Sequence, residues 1–300
     1  MRLRLAVLLL CGCGRMGFDT SADAAPDEAV PPDGPCVLGA FAPPVKLGGP
    51  VQSLGDDWFP TPTLGERELY FYRYTGGAGD GEVVRAARPD TSAEWGPASR
   101  VAEVGTAIDD TSVALSEDSL VLIMTRSGAT TNMFEATRSA PGGAFSTPVR
   151  LTLFAAQADD LSPWLSSDGL RLTFGSRQNG LLDIFETTRA TRAAPWGQPV
   201  FLSTLSSSGR DDNPTLSEDG LEVFFSSDRT GSASYDVYRS TRTALGQPFS
   251  APQVVPELSS AGDDIGTRLS RDGRRMYFNF NSVRTGGQNA ELWTSTRGCQ

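Results

Sequence analysis

The chain has 300 residues, 26 Lys and Arg against 36 Asp and Glu, a formal net charge of −10, and no histidine. The missing imidazole excludes Ser-His-Asp and Cys-His catalysis and the commonest transition-metal ligand, leaving carboxylates, Tyr, Ser and Arg for any chemistry. An acidic surface with no basic stripe repels phosphate backbones, so nucleic acid is excluded as a partner.

Met1-Arg2-Leu3-Arg4 and the run Leu5–Leu10 form a positive n-region and an apolar h-region too short to span a bilayer. Leu10-Cys11-Gly12-Cys13 resembles the bacterial lipobox, a Leu and two small residues before a lipidated Cys. That resemblance implies a signal peptide over 1–12, with Cys13 as the first, acylated residue of the mature chain. The alternative, an ordinary secretory signal cleaved nearby, also exports the protein. Several acyl chains, at roughly 0.8 kcal/mol per buried methylene, make a stable anchor. Gly14, rather than Asp, follows the anchor, which favours the outer membrane. Residues 13–35 are rich in Pro, Ala and Asp and poor in large apolar residues, so they are expected to form a disordered acidic tether. The expectation is an exported, monomeric protein that meets the membrane through its lipid alone.

From residue 36 onward the chain repeats. Asp-Asp stands at 56–57, 109–110, 159–160, 211–212 and 263–264, in steps of 53, 50, 52 and 52 residues. A period of this size signals a solenoid or a propeller. In the fourth copy, Asn213–Ser217 reads as a first strand and Glu218-Asp219-Gly220 as a tight turn. Leu221–Ser226, Asp236–Arg242 and Phe249–Val255 follow as further strands. No segment sustains a 3.6-residue period, so the class is all-β. Third strands end in Arg88, Arg138, Arg189, Arg242 and Arg297. Fourth strands open on an aromatic followed by a proline: Trp95 with Pro97, Phe145 with Pro148, Trp196 with Pro199, Phe249 with Pro252. Proline cannot donate to a ladder, so the fourth strand is the outer edge, and four-stranded units of this kind are propeller blades.

The last copy has three strands and stops at Arg297, while Gly39–Leu47 is an orphan fourth strand that matches Gly143–Leu151. Residues 39–47 are therefore expected to complete the last of five four-stranded blades. Cys36 lies just before that strand and Cys299 just after its neighbour. Those ends are adjacent in an antiparallel pair, and export favours oxidation, so a Cys36–Cys299 disulfide is expected.

Pro214-Thr215-Leu216-Ser217-Glu218-Asp219-Gly220, then Ser227-Asp228-Arg229-Thr230-Gly231 and Asp236-Val237-Tyr238, resemble the WD40-like repeats of TolB-type propellers. The resemblance spans roughly residues 56–297. It implies a propeller of the periplasm that binds protein partners. The first copy departs from the pattern: Leu64-Gly65-Glu66-Arg67 lacks the Asp-Gly turn.

Asp57, Asp110, Asp160, Asp212 and Asp264 fall at the mouths of the innermost strands and could ring the channel as a site for Ca²⁺. Alternatively, each caps a loop or pairs with a repeated Arg such as Arg126, Arg177 or Arg229. Periodicity favours structure, because catalytic groups are singular. A carboxylate-based glycoside hydrolase is the enzyme alternative. It needs inner-strand carboxylates in distinct roles, yet no blade is expected to carry an acidic residue that the others lack. Trp58, Trp164 and Trp293 are expected to pack between blades rather than serve as sugar platforms. The leading expectation is a non-catalytic binding or scaffold module with an envelope protein or glycan as partner. That partner would be met by the divergent loops Tyr74–Gly81, Ser232–Tyr235 and Val283–Ala290.

Overall fold

Among the described residues, β-branched and aromatic runs punctuated by tight turns fold into twenty strands, beginning with β1 (Val45–Lys46). The computed structural model describes residues 36–300 apart from 53–54, 75, 77–80, 107, 156–157, 233 and 281–289. The signal peptide, Cys13 and the tether expected over residues 1–35 lie outside the described residues, as do most of the 74–81 and 283–290 loops.

Blade 1 contains β2 (Asp56–Pro62), β3 (Glu68–Tyr74), β4 (Gly81–Ala87) and β5 (Ser99–Arg100). Blade 2 contains β6 (Asp110–Leu115), β7 (Val121–Arg126), β8 (Asn132–Thr137) and β9 (Val149–Arg150). Blade 3 contains β10 (Asp160–Leu165), β11 (Arg171–Ser176), β12 (Asp183–Thr188) and β13 (Val200–Phe201). Blade 4 contains β14 (Asp211–Leu216), β15 (Glu222–Ser227), β16 (Asp236–Thr241) and β17 (Gln253–Val254). In blade 5, β18 (Asp264–Leu269), β19 (Arg275–Phe280) and β20 (Glu291–Thr296) are joined by β1 in the order β1-β20-β19-β18. The molecule is a five-bladed β-propeller. The inner strands β2, β6, β10, β14 and β18 neighbour one another in a closed circuit around the axis, and each blade boundary holds its own apolar cluster.

The N-terminal strand closes the ring. Val45 pairs with Thr294 and Lys46 with Trp293, and the Ala42 and Gly39 amides donate to the Thr296 and Gly298 carbonyls. Phe41 reproduces a contact made in every other blade. The Arg that follows each third strand lies over the aromatic that precedes the fourth: Arg88 over Trp95, Arg138 over Phe145, Arg189 over Trp196, Arg242 over Phe249, at 4.1–4.4 Å. Arg297 lies 4.8 Å over Phe41. The Nε of each Arg also donates to a carbonyl of its own blade's first turn, as Arg242 does to Gly220 at 2.7 Å. Cys36 and Cys299 are disulfide-bonded beside this seam. On its other side, Glu66 explains the irregular first turn. Its carboxylate accepts from the Tyr277 hydroxyl and pairs with Arg275 at 3.0 Å, tying blade 1 to blade 5.

Two boundaries differ from the sequence expectation. The outer ladders are two residues long rather than seven, because Pro44, Pro148, Pro199 and Pro252 stand immediately before β1, β9, β13 and β17 and withhold their donors. The inner strand of blade 4 begins at Asp211, two residues earlier than read. Asp and Asn are poor strand formers in isolation, but these are paired within the fold. The expected turn glycine is present: Gly220 sits at φ 68°. Gly220→Ala is expected to lower stability by about 1–2 kcal/mol, the strain of a left-handed L-residue. A urea midpoint identical to that of the parent would contradict this.

Candidate functional site at the central channel

Every inner strand carries a β-bulge, with register shifts between Trp58 and Thr61, Asp110 and Val113, Leu161 and Trp164, Asp212 and Thr215, and Ile265 and Arg268. Phe59, Ser162, Asn213 and Gly266 occupy the bulges at positive φ. A bulge re-aims the side chains that follow it, so period two does not predict which residues meet at the axis.

Register on the second strand assigns each aspartate its place. Asp57 faces Arg73, Asp110 faces Arg126, Asp160 faces Ser176, and Asp264 faces Phe280. In blade 4 the residue facing the equivalent Ser227 is Asp211, not Asp212. These five aspartates are occupied by neighbours. Arg73 bonds Asp57 at 2.7 Å and Arg126 bonds Asp110. Ser176 bonds Asp160 at 2.6 Å, Arg229 bonds Asp211 at 2.7 Å, and Ser260 bonds Asp264 at 2.9 Å. Arg73, Arg126 and Arg229 reach on to the carbonyls of Val51, Val104 and Leu205, fastening the incoming loop. Asp160 has a serine where Asp57 and Asp110 have arginines, and burial pushes its carboxyl up to about 6. Outside blade 4, the first member of each pair staples the preceding blade: Asp109 accepts from the Gly81 amide at 3.1 Å, Asp159 from Thr131 at 2.8 Å. Arg177 pairs with Asp159 at 3.4 Å. Among the described residues no three carboxylates or cysteines converge as a metal site.

Asp212 is therefore one residue out of frame, and its equivalents are Trp58, Thr111, Leu161 and Ile265. The expectation that no blade holds a singular inner acidic residue is corrected by this register. Asp212 is buried. Its Oδ2 accepts from Ser162 Oγ and Asn213 Nδ2, both at 3.1 Å, and Oδ1 has no partner among the described residues. Desolvation lifts its carboxyl to about 6, against the opposing pull of these bonds and of Arg268 and Arg177. Gly175, facing from blade 3, leaves it room: a Cβ there would lie 2.3 Å from Oδ1.

Arg268 is the second singular residue, since its equivalents are Thr61, Ala114, Trp164 and Thr215. Its side chain crosses the channel, with Nη2 donating at 2.9 Å to the Pro163 carbonyl of blade 3, past the intervening blade 4. Nη1 donates to the Thr267 carbonyl at 2.9 Å. Above it, toward the hairpin turns, lies a cavity of about 90 Å³ lined by residues from all five blades, including Thr61, Ala114, Trp164 and Leu216. Its rim is formed by the variable position of the Ser-x-Asp turn: Glu117, Ser167, Glu218 and Arg271. Arg271 pairs with Glu117 and, at 2.9 Å, with Glu218, which also accepts from Ser167. Sequence reading passed over these positions because they are the variable x of a repeated motif. That variation between blades is itself the signal.

Of the tryptophans, Trp293 packs against the cluster between blades 4 and 5, and Trp164 against that between blades 3 and 4 while also walling the cavity. Trp58 is half-buried, 6.2 Å from Phe59. In the 232–235 loop, Ser232 bonds the Tyr238 hydroxyl and Tyr235 stacks beneath Arg210.

No family model and no curated protein matches the sequence. Solved structures do. TolB from Agrobacterium tumefaciens is 16% identical, with 88% of this chain and 91% of that one covered at a TM-score of 0.51. A thermostable family-43 glycoside hydrolase is 12% identical, with 84% and 91% covered at a TM-score of 0.58. TolB from Acinetobacter baumannii is 14% identical over 82% of this chain at a TM-score of 0.47, and this chain spans 55% of it. At such identities the likeness is one of fold.

Proposed function

We propose that this chain is a non-catalytic binding module of the bacterial cell envelope, exported, lipid-anchored at Cys13, and docking a protein or glycan partner on its hairpin-turn face. One observation carries the reading. The residues that vary between otherwise equivalent blades, Glu117, Ser167, Glu218 and Arg271, gather on one rigid rim above a channel crossed by Arg268. A rigid scaffold presenting divergent side chains at one end is suited to recognition. The cavity beneath, about 90 Å³, is well below the ~300–1,000 Å³ of pockets that enclose a small-molecule substrate.

The competing reading, a carboxylate-based glycoside hydrolase, draws on Asp212, whose carboxyl near 6 suits a general acid. That reaction needs a second carboxylate across the substrate; the equivalents of Asp212 and Arg268 in the other blades are not acidic, and the five periodic aspartates are bonded by arginine or serine.

The test is capture of solubilised envelope components on the immobilised mature chain, with and without Ca²⁺, beside a Glu117→Gln, Glu218→Gln rim variant. A saturable partner whose affinity falls about tenfold on the rim variant, as expected for lost charge-assisted bonds, supports docking. Capture indifferent to the rim, or hydrolysis of a glycoside panel that Asp212→Asn abolishes, overturns it. The Ca²⁺ comparison also tests the aspartate ring as a cation site.

A further inference from the structure

Most buried arginines in this fold have charged or aromatic partners, though Arg138 and Arg189 also leave Nη2 without a hydrogen bond among the described residues. Arg189, Arg242 and Arg297 each stack on an aromatic and pair with a glutamate of the preceding blade. Arg268 is different. It is 3% exposed, its two Nη groups reach carbonyl oxygens, and Nε, buried, has no partner among the described residues. Burial lowers its pKa to about 10, so the guanidinium is charged at neutral pH. A planar cation that bonds carboxylates in a fork thus lines the floor of a cavity; its Nε is closed off, and each Nη, spending one of its two hydrogens on a carbonyl, keeps the other.

We infer that the cavity above Arg268 is a binding site for a single carboxylate group, carried either by a free small carboxylate or by an acidic side chain of the docked partner. The second source rests on the docking proposed above; the first does not. Size agrees, since about 90 Å³ is the space of roughly three waters: enough for an acetate-sized group, too little for a sugar ring. Chemistry agrees as well. Thr61, Ala114, Trp164 and Leu216 form neutral walls, so Arg268 is the charge a ligand meets at the floor. Glu117 and Glu218 at the rim are held by Arg271, which draws their negative charge away from the entering group. Asp212 attracts Arg268 but makes no hydrogen bond to it: its Oδ2 is bonded to Ser162 and Asn213, and neither its Oδ1 nor Arg268 Nε has a partner among the described residues.

The experiment titrates acetate into the ¹⁵N-labelled chain at constant ionic strength, following the Arg268 Nε–H and Trp164 indole N–H resonances, with acetamide as the neutral control. The expected result is a saturable shift of both resonances with a dissociation constant in about the millimolar range for so small a ligand, and no shift with acetamide. Arg268→Gln should weaken the Trp164 response about tenfold or more. Ala114→Leu, which fills the cavity and leaves Arg268 in place, should abolish it. N-acetyl-Gly-Asp-Gly amide against its Asn counterpart separates the sources: a response to the Asp peptide supports a partner's side chain, and a response to acetate alone supports a free small carboxylate. No response to either, an equal response to acetamide, or binding that survives both variants overturns the inference. The rim variant Glu117→Gln, Glu218→Gln keeps acetate binding even if partner docking fails, so the two readings fail separately.

Discussion

Replacing Cys36 and Cys299 together by serine is expected to lower stability by about 2–5 kcal/mol and Tm by roughly 10 °C. The bridge joins the segment entering β1 to the residue three places beyond the end of β20, so it encloses nearly the whole propeller. In the chain-entropy account, a loop this long restrains the unfolded state by about 5 kcal/mol. The native state should absorb the loss without rearranging, because the seam has other fastenings. Leu38 bridges Cys299, the Gln300 amide bonds the Val37 carbonyl, and Phe41 remains under Arg297. The decisive comparison is thermal unfolding of the parent in dithiothreitol beside the double serine variant in oxidising buffer, which should coincide. A variant within about 1 kcal/mol of the parent would mean that the ladder and the Phe41 stack close the ring by themselves.

That seam is also where the sequence was most legible. Gly39–Leu47 matches Gly143–Leu151, and Phe41 does occupy the place of Phe145 against its arginine. A repeat copies contacts along with residues, so one blade interprets the others. The same logic failed at blade 4, where Asp211-Asp212 looks like the other pairs. Asp57, Asp110, Asp160, Asp211 and Asp264 each stand six residues before the Thr or Ser that opens the turn, and counting back from Ser217 would have set the frame. Arg268 was not legible on any count, because Thr267-Arg268-Leu269 is an ordinary strand end. Its path across the axis depends on the bulge at Gly266 (φ 70°), which redirects the residues after it without leaving a periodic trace.

Asp212→Asn is expected to stabilise the protein above pH 6 and to change little below pH 4. The folded carboxyl titrates at about 6, raised chiefly by desolvation from the ordinary aspartate value of about 4. A raised folded pKa means that the native state favours the protonated form. The stability it confers is complete below about 4 and lost as pH rises through about 6, so at pH 8 the native state holds an ionised carboxylate against its preference. Moving a carboxyl from about 4 to about 6 corresponds to about 3 kcal/mol, and asparagine imitates the protonated acid while keeping acceptor and donor for Ser162 and its surroundings. The gain at pH 8 should therefore approach, and not exceed, about 3 kcal/mol. Asp160 titrates in the same window and cancels when variant and parent are compared at each pH. Denaturant midpoints from pH 4 to pH 8 give the curve directly. A variant less stable than the parent at pH 8 would show that Arg268 depends on the Asp212 charge more than the desolvated carboxylate opposes it. The pair would then be a true buried ion pair, and Arg268 would be committed to Asp212 rather than to a ligand's carboxylate.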